Sequence, residues 1–194
     1  MTPRTSQLLS ELFSKYFDKD EVFVALGGAD VSAGLCALPF DHIVFTGSPR
    51  VGSLVMRAAA ANLVPVTLEL GGKNPVLIAK DFCLKEAATA TMAWKATNAG
   101  QVCTGVDYAL VPVGCGQDFT AACADAVRAR WGEGALEDHD QYCSMINECE
   151  AQRMRTLVKE ARIGGAEVRS LCPQGRSCES PSSSAGCKVT LTIE

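Results

Sequence analysis

The sequence predicts an α/β fold with three layers, αβα, built on a parallel sheet. Short apolar segments alternate with helical segments three times before residue 71. The apolar segments are almost continuous, as in strands that are buried on both faces. The connections between them are short, which is typical of βα units.

The first part of the chain is expected to contain three helices and three strands. Leu8, Leu12 and Tyr16 recur at helical spacing in an amphipathic helix over Thr5–Phe17, which Thr5 or Ser6 can cap. The strands are predicted at Glu21–Leu26, Asp41–Thr46 and Val64–Leu70, and the other two helices at Asp30–Ala37 and from Pro49 to about Asn62.

The pattern continues less regularly beyond Gly72. Strands are predicted at Asn74–Ala79, Tyr108–Val113 and Val168–Leu171, and helices at Leu84–Thr97, Phe119–Trp131 and Glu148–Ile163. Residues 172–194 are rich in Ser, Pro, Gly and Cys, which predicts a flexible tail. The pattern changes character after Gly72 and again after Leu171, where the tail is expected to begin.

Charge and hydropathy exclude several classes of protein. The net charge is -4 and the basic residues form no long run, so no nucleic-acid partner is expected. Arg57 and Asn62 interrupt one of the longest apolar stretches, so no membrane span is expected. The first twenty residues carry six charges and do not resemble a signal peptide, which predicts a cytoplasmic protein.

The chain has ten cysteines, but no two are spaced as C-x-x-C. Zinc sites and redox pairs need that close spacing, so no metal site is predicted. Most of the cysteines lie in apolar or helical segments, and we expect them to be small buried hydrophobic residues.

The first candidate motif is Phe45-Thr46-Gly47-Ser48, followed by Val51-Gly52. A strand that runs into Gly-Ser at a helix start presents free backbone N–H groups, and the helix dipole favours an anion there. The alternative is an ordinary capped turn with Ser48 as the N-cap, and the motif alone favours that alternative.

The second motif is Leu68-Glu69-Leu70-Gly71-Gly72-Lys73. A carboxylate at the end of an apolar strand is unfavourable unless the strand end opens into a cleft or the charge is used. Sites in parallel α/β folds lie beyond the carboxyl ends of strands, which makes Glu69 a candidate general base. A solvent-facing Glu69 at a strand edge is equally compatible with the pattern.

The third motif is Asn98-Ala99-Gly100-Gln101-Val102-Cys103-Thr104-Gly105. Cys103 lies in a turn flanked by glycines, whose backbone N–H groups can stabilise a thiolate. Cys103 is therefore a candidate nucleophile. The alternative is a buried structural cysteine.

In this order, the three motifs resemble the aldehyde dehydrogenase superfamily, and the resemblance runs from about residue 3 to about residue 171. The flanking sequences PFDHIVFTGS, PVTLELGGKNP and NAGQVCTGVDYALVP are closest to the coniferyl-aldehyde and fatty-aldehyde dehydrogenase branch. The resemblance implies an aldehyde-dehydrogenase-like fold with a Rossmann-like parallel sheet, which is incomplete because the chain is an internal piece. Residues 1–70 would be the C-terminal half of the NAD(P)-binding domain, and residues 71–171 the N-terminal part of the catalytic domain.

The resemblance also implies a reaction. Cys103 would attack the carbonyl of a small-molecule aldehyde, and its backbone N–H would help to hold the oxyanion. Glu69 would activate the water that releases the acid. NAD or NADP would accept the hydride. The residues implied in cofactor binding are Gly47 and Ser48 at the pyrophosphate, Val51 along the cleft, and Leu70 and Gly71 beside the nicotinamide.

The sequence departs from the family in several places. The preceding stretch with the ribose-binding Lys and Glu, and the later E-x-F-G-P motif, have no counterpart. Asn74 stands where many relatives have Ser, a difference expected to be minor. Weak or absent aldehyde oxidation is therefore expected. The alternatives are a cofactor-independent thiol esterase, and a non-catalytic remnant or module that forms a homo-oligomer or associates with a full-length relative.

Overall fold

The computed structural model describes residues 2–132 and 139–171. The predicted α/β fold with parallel strands is confirmed. The chain divides into two compact units, of which the first ends at Gly71 and the second begins at Gly72. The predicted tail over 172–194 lies outside the described residues.

Ten regular helices and strands, numbered here in chain order, are found in the described ranges. The helices are α1 Pro3–Tyr16, α2 Ala29–Cys36, α3 Pro49–Ala60, α4 Leu84–Lys95, α5 Gly116–Trp131 and α6 Glu148–Ile163. The strands are β1 Ile43–Gly47, β2 Val66–Leu70, β3 Asn74–Leu77 and β4 Val106–Leu110. A short turn spans Thr97–Gly100, with non-helical dihedral angles at Asn98 and Ala99.

The first unit contains a βαβ element, β1–α3–β2. The two strands are parallel and in register from Ile43 opposite Val66 to Gly47 opposite Leu70. Helix α3 packs on the face that carries Leu68 and Leu70, and a Cβ at Gly52 would lie 2.9 Å from the Leu70 side chain. The missing side chain at position 52 therefore lets the helix approach the sheet closely.

The second unit contains another βαβ element, in which α4 and the following turn connect the parallel strands β3 and β4. Helix α4 is rich in alanine and packs against α5, because small side chains allow close approach. The core of this unit is formed by buried side chains of α4, α5 and the last described residue: Ala87, Ala88, Met92, Phe119, Cys123, Val127 and Leu171.

The strands form two separate pairs, and two predicted strands are wrong. Residues 22–28 have no regular structure, and Phe23 is 76% exposed. Among the described residues, Val168–Leu171 joins no ladder either, although Leu171 is buried in the core. A strand exists only when a neighbour completes its hydrogen bonds, and apolar alternation does not reveal whether a neighbour is present.

Helix starts also differ from the predictions. Helix α1 begins after Thr2 rather than at Thr5 or Ser6, and α2 begins after Gly28, so Asp30 lies in its first turn. Neither cap residue makes a side-chain cap hydrogen bond. In the described ranges, no helix has the length and apolarity needed to cross a membrane.

Candidate functional site

The first two motifs lie side by side at the carboxyl end of the β1–β2 pair. Gly47 is opposite Leu70 in the parallel register. The backbone N–H of Gly71 donates to the carbonyl oxygen of Gly47 at 3.2 Å. Four of the five residues predicted to bind cofactor, namely Gly47, Ser48, Leu70 and Gly71, are therefore at or next to one sheet edge.

Ser48 is the N-cap of α3. Its Oγ accepts a hydrogen bond from the backbone N–H of Val51 at 3.3 Å, and Gly52 donates to its carbonyl at 2.9 Å. The capped-turn interpretation is thus confirmed. The cap uses Ser48 as an acceptor, so its hydroxyl proton is still free to be donated to an anion.

Glu69 lies on β2, opposite Thr46 of β1. Successive side chains of a strand point to opposite faces. Since α3 packs on the face with Leu68 and Leu70, Glu69 lies on the other face, where it is exposed. Within the first unit, the Glu69 carboxylate is exposed, so it fits both a general base that contacts a reacting water and a side chain that faces bulk solvent.

Cys103 lies in a tight turn that leads into β4. The backbone N–H of Gly105 donates to the carbonyl of Val102 at 3.0 Å, which closes the turn around Cys103 and Thr104. A Cβ at Gly105 would lie 3.0 Å from the same Val102 oxygen, so this close approach favours glycine. The Cys103 side chain is exposed.

Side chains from two other elements bind the carbonyl oxygens of this turn. The amide Nδ2 of Asn74, the first residue of β3, donates to Cys103 O at 2.9 Å and to Gly105 O at 3.1 Å. The indole Nε1 of Trp94, in the last turn of α4, donates to Thr104 O at 2.9 Å. Every carbonyl from Val102 to Gly105 consequently accepts a hydrogen bond.

The N–H groups of the same turn behave differently. Within residues 2–132 and 139–171, the backbone N–H groups of Cys103 and Thr104 donate no hydrogen bond. In a trans peptide the N–H points away from the C=O. Fixing the carbonyls on one side of the turn therefore presents free donors on the other side.

The segment before the turn has a strained backbone. Asn98 and Ala99 adopt φ values of 50° and 55°, and Gly100 follows at 76°. Non-glycine residues rarely adopt this left-handed conformation, and such strain concentrates at functional sites. The side chains of Asn98 and Gln101 support the segment, with each donating to the other's carbonyl at 3.1 and 3.0 Å.

Gln101 also connects this segment to a distant part of the second unit. Its Nε2 donates to Ser144 O at 3.2 Å, and its Oε1 accepts from the backbone N–H of Ile146 at 2.9 Å. Both polar atoms of the Gln101 side chain, two positions before Cys103, are thus hydrogen-bonded.

The expectation that most cysteines are buried was wrong. Of the seven in the described ranges, only Cys123 is buried, and none forms a disulfide. Burial raises the pKa of the Cys123 thiol to about 12. Helical segments have an exposed face as well as a buried one, so a helical setting did not predict burial. Cys103 is distinguished from the other exposed cysteines by its hydrogen-bonded turn.

The predicted site residues belong to both units. The glycine-rich edge and Glu69 lie in the first unit, and Cys103 lies in the second. The convergence of Cys103 with Glu69 stays a prediction. Asn74 and Trp94 were not identified as functional residues, and the substitution at Asn74 was expected to be minor. The only signal in the sequence was an amide at the start of a strand that follows Gly71-Gly72-Lys73.

These observations define a class of protein. It is a parallel-stranded α/β chain with a glycine-rich strand end and an exposed thiol in a hydrogen-bonded turn. The model of the aldehyde dehydrogenase family matches residues 1–193. The chain belongs to this family.

Relatives support the same assignment. The chain is 41% identical over 180 residues to a "Probable coniferyl aldehyde dehydrogenase" of Pseudomonas aeruginosa, covering 93% of this chain and 37% of the relative. It is 42% identical to a "Coniferyl aldehyde dehydrogenase" of a Pseudomonas species, covering 89% and 36%. The predicted resemblance to the coniferyl-aldehyde branch is confirmed. The chain spans little more than a third of the length of these relatives.

Solved structures share the fold. The substrate-bound state of Staphylococcus aureus AldH has a TM-score of 0.80 and 34% identity, with 91% of this chain and 37% of that chain covered. A Mycobacterium tuberculosis aldehyde dehydrogenase complexed with NAD+ has a TM-score of 0.80 and 27% identity, with 98% and 39% covered.

Proposed function

We propose that this chain carries the nucleophile, the general base and part of the cofactor site of an NAD(P)-dependent aldehyde dehydrogenase. The observation that supports the proposal most strongly is the Cys103 turn. Its thiol is exposed, its carbonyls are all bound, and the N–H groups of Cys103 and Thr104 are free within the described ranges. That combination suits a nucleophile that must hold an oxyanion.

In the proposed reaction, the Cys103 thiolate adds to the carbonyl carbon of the aldehyde and forms a C–S bond. The resulting oxyanion accepts a hydrogen bond from the Cys103 N–H. Loss of a hydride from that carbon converts the thiohemiacetal into a thioester. Glu69 then takes a proton from water as the water attacks the thioester, which releases the carboxylic acid and regenerates the Cys103 thiolate.

The residues of the first unit fit a dinucleotide cofactor in part. The N-terminus of α3, the Ser48 hydroxyl proton and the exposed Arg50 side chain all favour a phosphate. We propose Gly47 and Ser48 as pyrophosphate contacts, with Val51 beside them and with Leu70 and Gly71 near the nicotinamide. When bound, NAD or NADP supplies the hydride acceptor.

The relatives suggest the substrate class and the setting. We propose an aromatic aldehyde, because the similar Pseudomonas proteins are named for coniferyl aldehyde. We also propose a cytoplasmic location. All seven cysteines in the described ranges are free thiols, as in reducing compartments.

The test is oxidation of coniferyl aldehyde with NAD or NADP, followed through the absorbance of the reduced cofactor. Wild type and Cys83→Ala, a control at another exposed cysteine, are expected to turn over equally. Cys103→Ala is expected to be inactive. Glu69→Gln is expected to accumulate a covalent acyl adduct that mass spectrometry assigns to Cys103. Turnover that survives Cys103→Ala would reject the proposal, as would an acyl adduct on any residue other than Cys103.

A thiol esterase is the second candidate, because an exposed nucleophile and a base are sufficient for acylation and deacylation. Hydrolysis of p-nitrophenyl acetate should then proceed without NAD, disappear in Cys103→Ala and persist in Cys83→Ala. Equal hydrolysis by all three proteins would eliminate this function.

The third candidate is a non-catalytic module that forms a homo-oligomer or binds a full-length relative. Large apolar side chains favour it, since Phe23, Val44 and Leu77 are 76%, 69% and 71% exposed. Size-exclusion chromatography of the chain, alone and with a full-length relative, should show a complex. A monomer under both conditions would exclude association.

A further inference from the structure

We infer that Asn74 is a positioning residue for the Cys103 turn, because its side-chain amide donates to Cys103 O at 2.9 Å and to Gly105 O at 3.1 Å. The importance of this role for catalysis rests on the proposed function. The geometry itself does not, and it links the first residue of β3 to a turn about thirty positions later in the chain.

Both partners of Asn74 are carbonyl oxygens, which only accept hydrogen bonds. The amide must therefore present its nitrogen, whose two protons match two acceptors. Serine has one hydroxyl proton and can satisfy only one of them. Aspartate has the same shape as asparagine but, when ionised, has no proton to donate and repels both carbonyls. Asparagine thus has a specific function at this position.

The two hydrogen bonds fix two peptide planes. The carbonyl of Cys103 shares its plane with the N–H of Thr104, and the N–H points in the opposite direction. By holding Cys103 O, Asn74 sets the direction of the N–H of Thr104, the residue after the cysteine. By holding Gly105 O, it sets where the chain enters β4. The bond to Trp94 fixes the plane between these two.

Asn74 acts through the turn and not on the substrate, so its effect should appear in the reactivity of the Cys103 thiol. Within the described ranges, the N–H groups of Cys103 and Thr104 are free to stabilise negative charge that develops next to the turn. Loss of the two hydrogen bonds, with a carboxylate in their place, should slow alkylation of Cys103. The sulfur is already exposed, so loosening the turn adds little access.

The experiment measures alkylation of the wild-type chain and its variants by iodoacetamide, with peptide-level mass spectrometry. Cys83 is an exposed internal reference, and buried Cys123 reports general unfolding. Asn74→Asp is expected to lower the Cys103 rate roughly three- to ten-fold, with Cys83 and Cys123 unchanged. Asn74→Ser, which keeps one donor, should restore an intermediate rate.

Asn62→Asp is the matched control, because Asn62 Nδ2 also donates to a backbone carbonyl, that of Ala37, at 2.7 Å. It should leave the Cys103 rate at the wild-type value. Equal Cys103 rates in wild type and Asn74→Asp would overturn the inference. So would a rise in Cys123 alkylation that accompanies the fall at Cys103, because the variant would then be unfolding generally. The measurement requires no turnover, so a failure of the proposed function leaves it interpretable.

Discussion

The indole Nε1 of Trp94 donates a hydrogen bond to the carbonyl oxygen of Thr104 at 2.9 Å, and so joins the last turn of α4 to the turn that contains Cys103. Trp94→Phe keeps an aromatic ring and removes the donor. We expect the free energy of unfolding to fall by about 0.5 to 1.5 kcal/mol, because Thr104 O loses its partner. Urea denaturation measures the change, and identical midpoints and slopes would contradict it.

Cys103 and Cys123 should differ in their reactivity towards a thiol reagent. With Ellman's reagent at about pH 8, Cys103 should react in the native protein, whereas Cys123 should react only after a denaturant is added. The pKa of Cys123 is raised to about 12 by burial, so its folded form stays a neutral thiol. Labelling of native Cys123 at the rate of Cys103 would contradict this expectation.

The raised pKa of Cys123 also predicts how the free energy of unfolding changes at alkaline pH. Above the ordinary value of 9.0 the unfolded Cys123 ionises, but the folded one does not until about 12. The unfolded state is therefore favoured progressively, and the free energy of unfolding falls as the pH rises through this window. Cys123→Ala should lose less stability over the same range in urea denaturation. Parallel losses in the two proteins would show that other groups cause the decline.

Substitutions at Ser48 distinguish its role as the N-cap of α3 from its proposed contact with the cofactor. Ser48→Ala removes the acceptor for Val51 N–H and should destabilise the chain by about 1 kcal/mol. Ser48→Asp keeps a good cap, so stability should stay near that of wild type, while the added negative charge should weaken NAD binding. Thermal unfolding and cofactor titration measure the two effects. Wild-type NAD affinity in Ser48→Asp would remove Ser48 from the cofactor site.

Glycine at position 105 should be required by the turn. In Gly105→Ala the Cβ would lie 3.0 Å from the Val102 oxygen, which already accepts the Gly105 N–H. We expect a loss of about 1 to 3 kcal/mol in urea denaturation. Gly34→Ala in α2 is the control, since its Cβ would meet nothing within 4 Å, and alanine should stabilise that helix by about 0.5 to 1 kcal/mol. A neutral Gly105→Ala would mean that the turn relaxes without cost.

The α/β class and most helices and strands could be predicted from local patterns. Glu148–Ile163 was predicted with the bounds that the structure gives, because its helical pattern is local. The structure adds a side-chain cap at Asn147, the residue before the helix. Glu21–Leu26 failed because a strand depends on a partner that its own sequence does not encode. The pairing of Gly47 with Leu70 likewise needed the register of two strands.

The candidate nucleophile could be predicted from the sequence, but the side chains that bind the carbonyls of its turn could not. Cys103 lies in a motif of eight consecutive residues, and glycines mark its turn. Asn74 and Trp94 are 29 and 10 residues away from the carbonyls they bind, and no local pattern encodes such contacts. Spacing therefore predicted which residue is the candidate nucleophile but not the side chains that hold its turn.

The directions of these hydrogen bonds along the chain have a consequence for biosynthesis. Asn74 and Trp94 precede Cys103, so both donors already exist when the turn emerges from the ribosome. The partners of Gln101, at Ser144 and Ile146, are translated more than forty residues later. The nascent polypeptide can therefore form the hydrogen bonds from the Asn74 amide and the Trp94 indole first, and those of Gln101 are necessarily added afterwards.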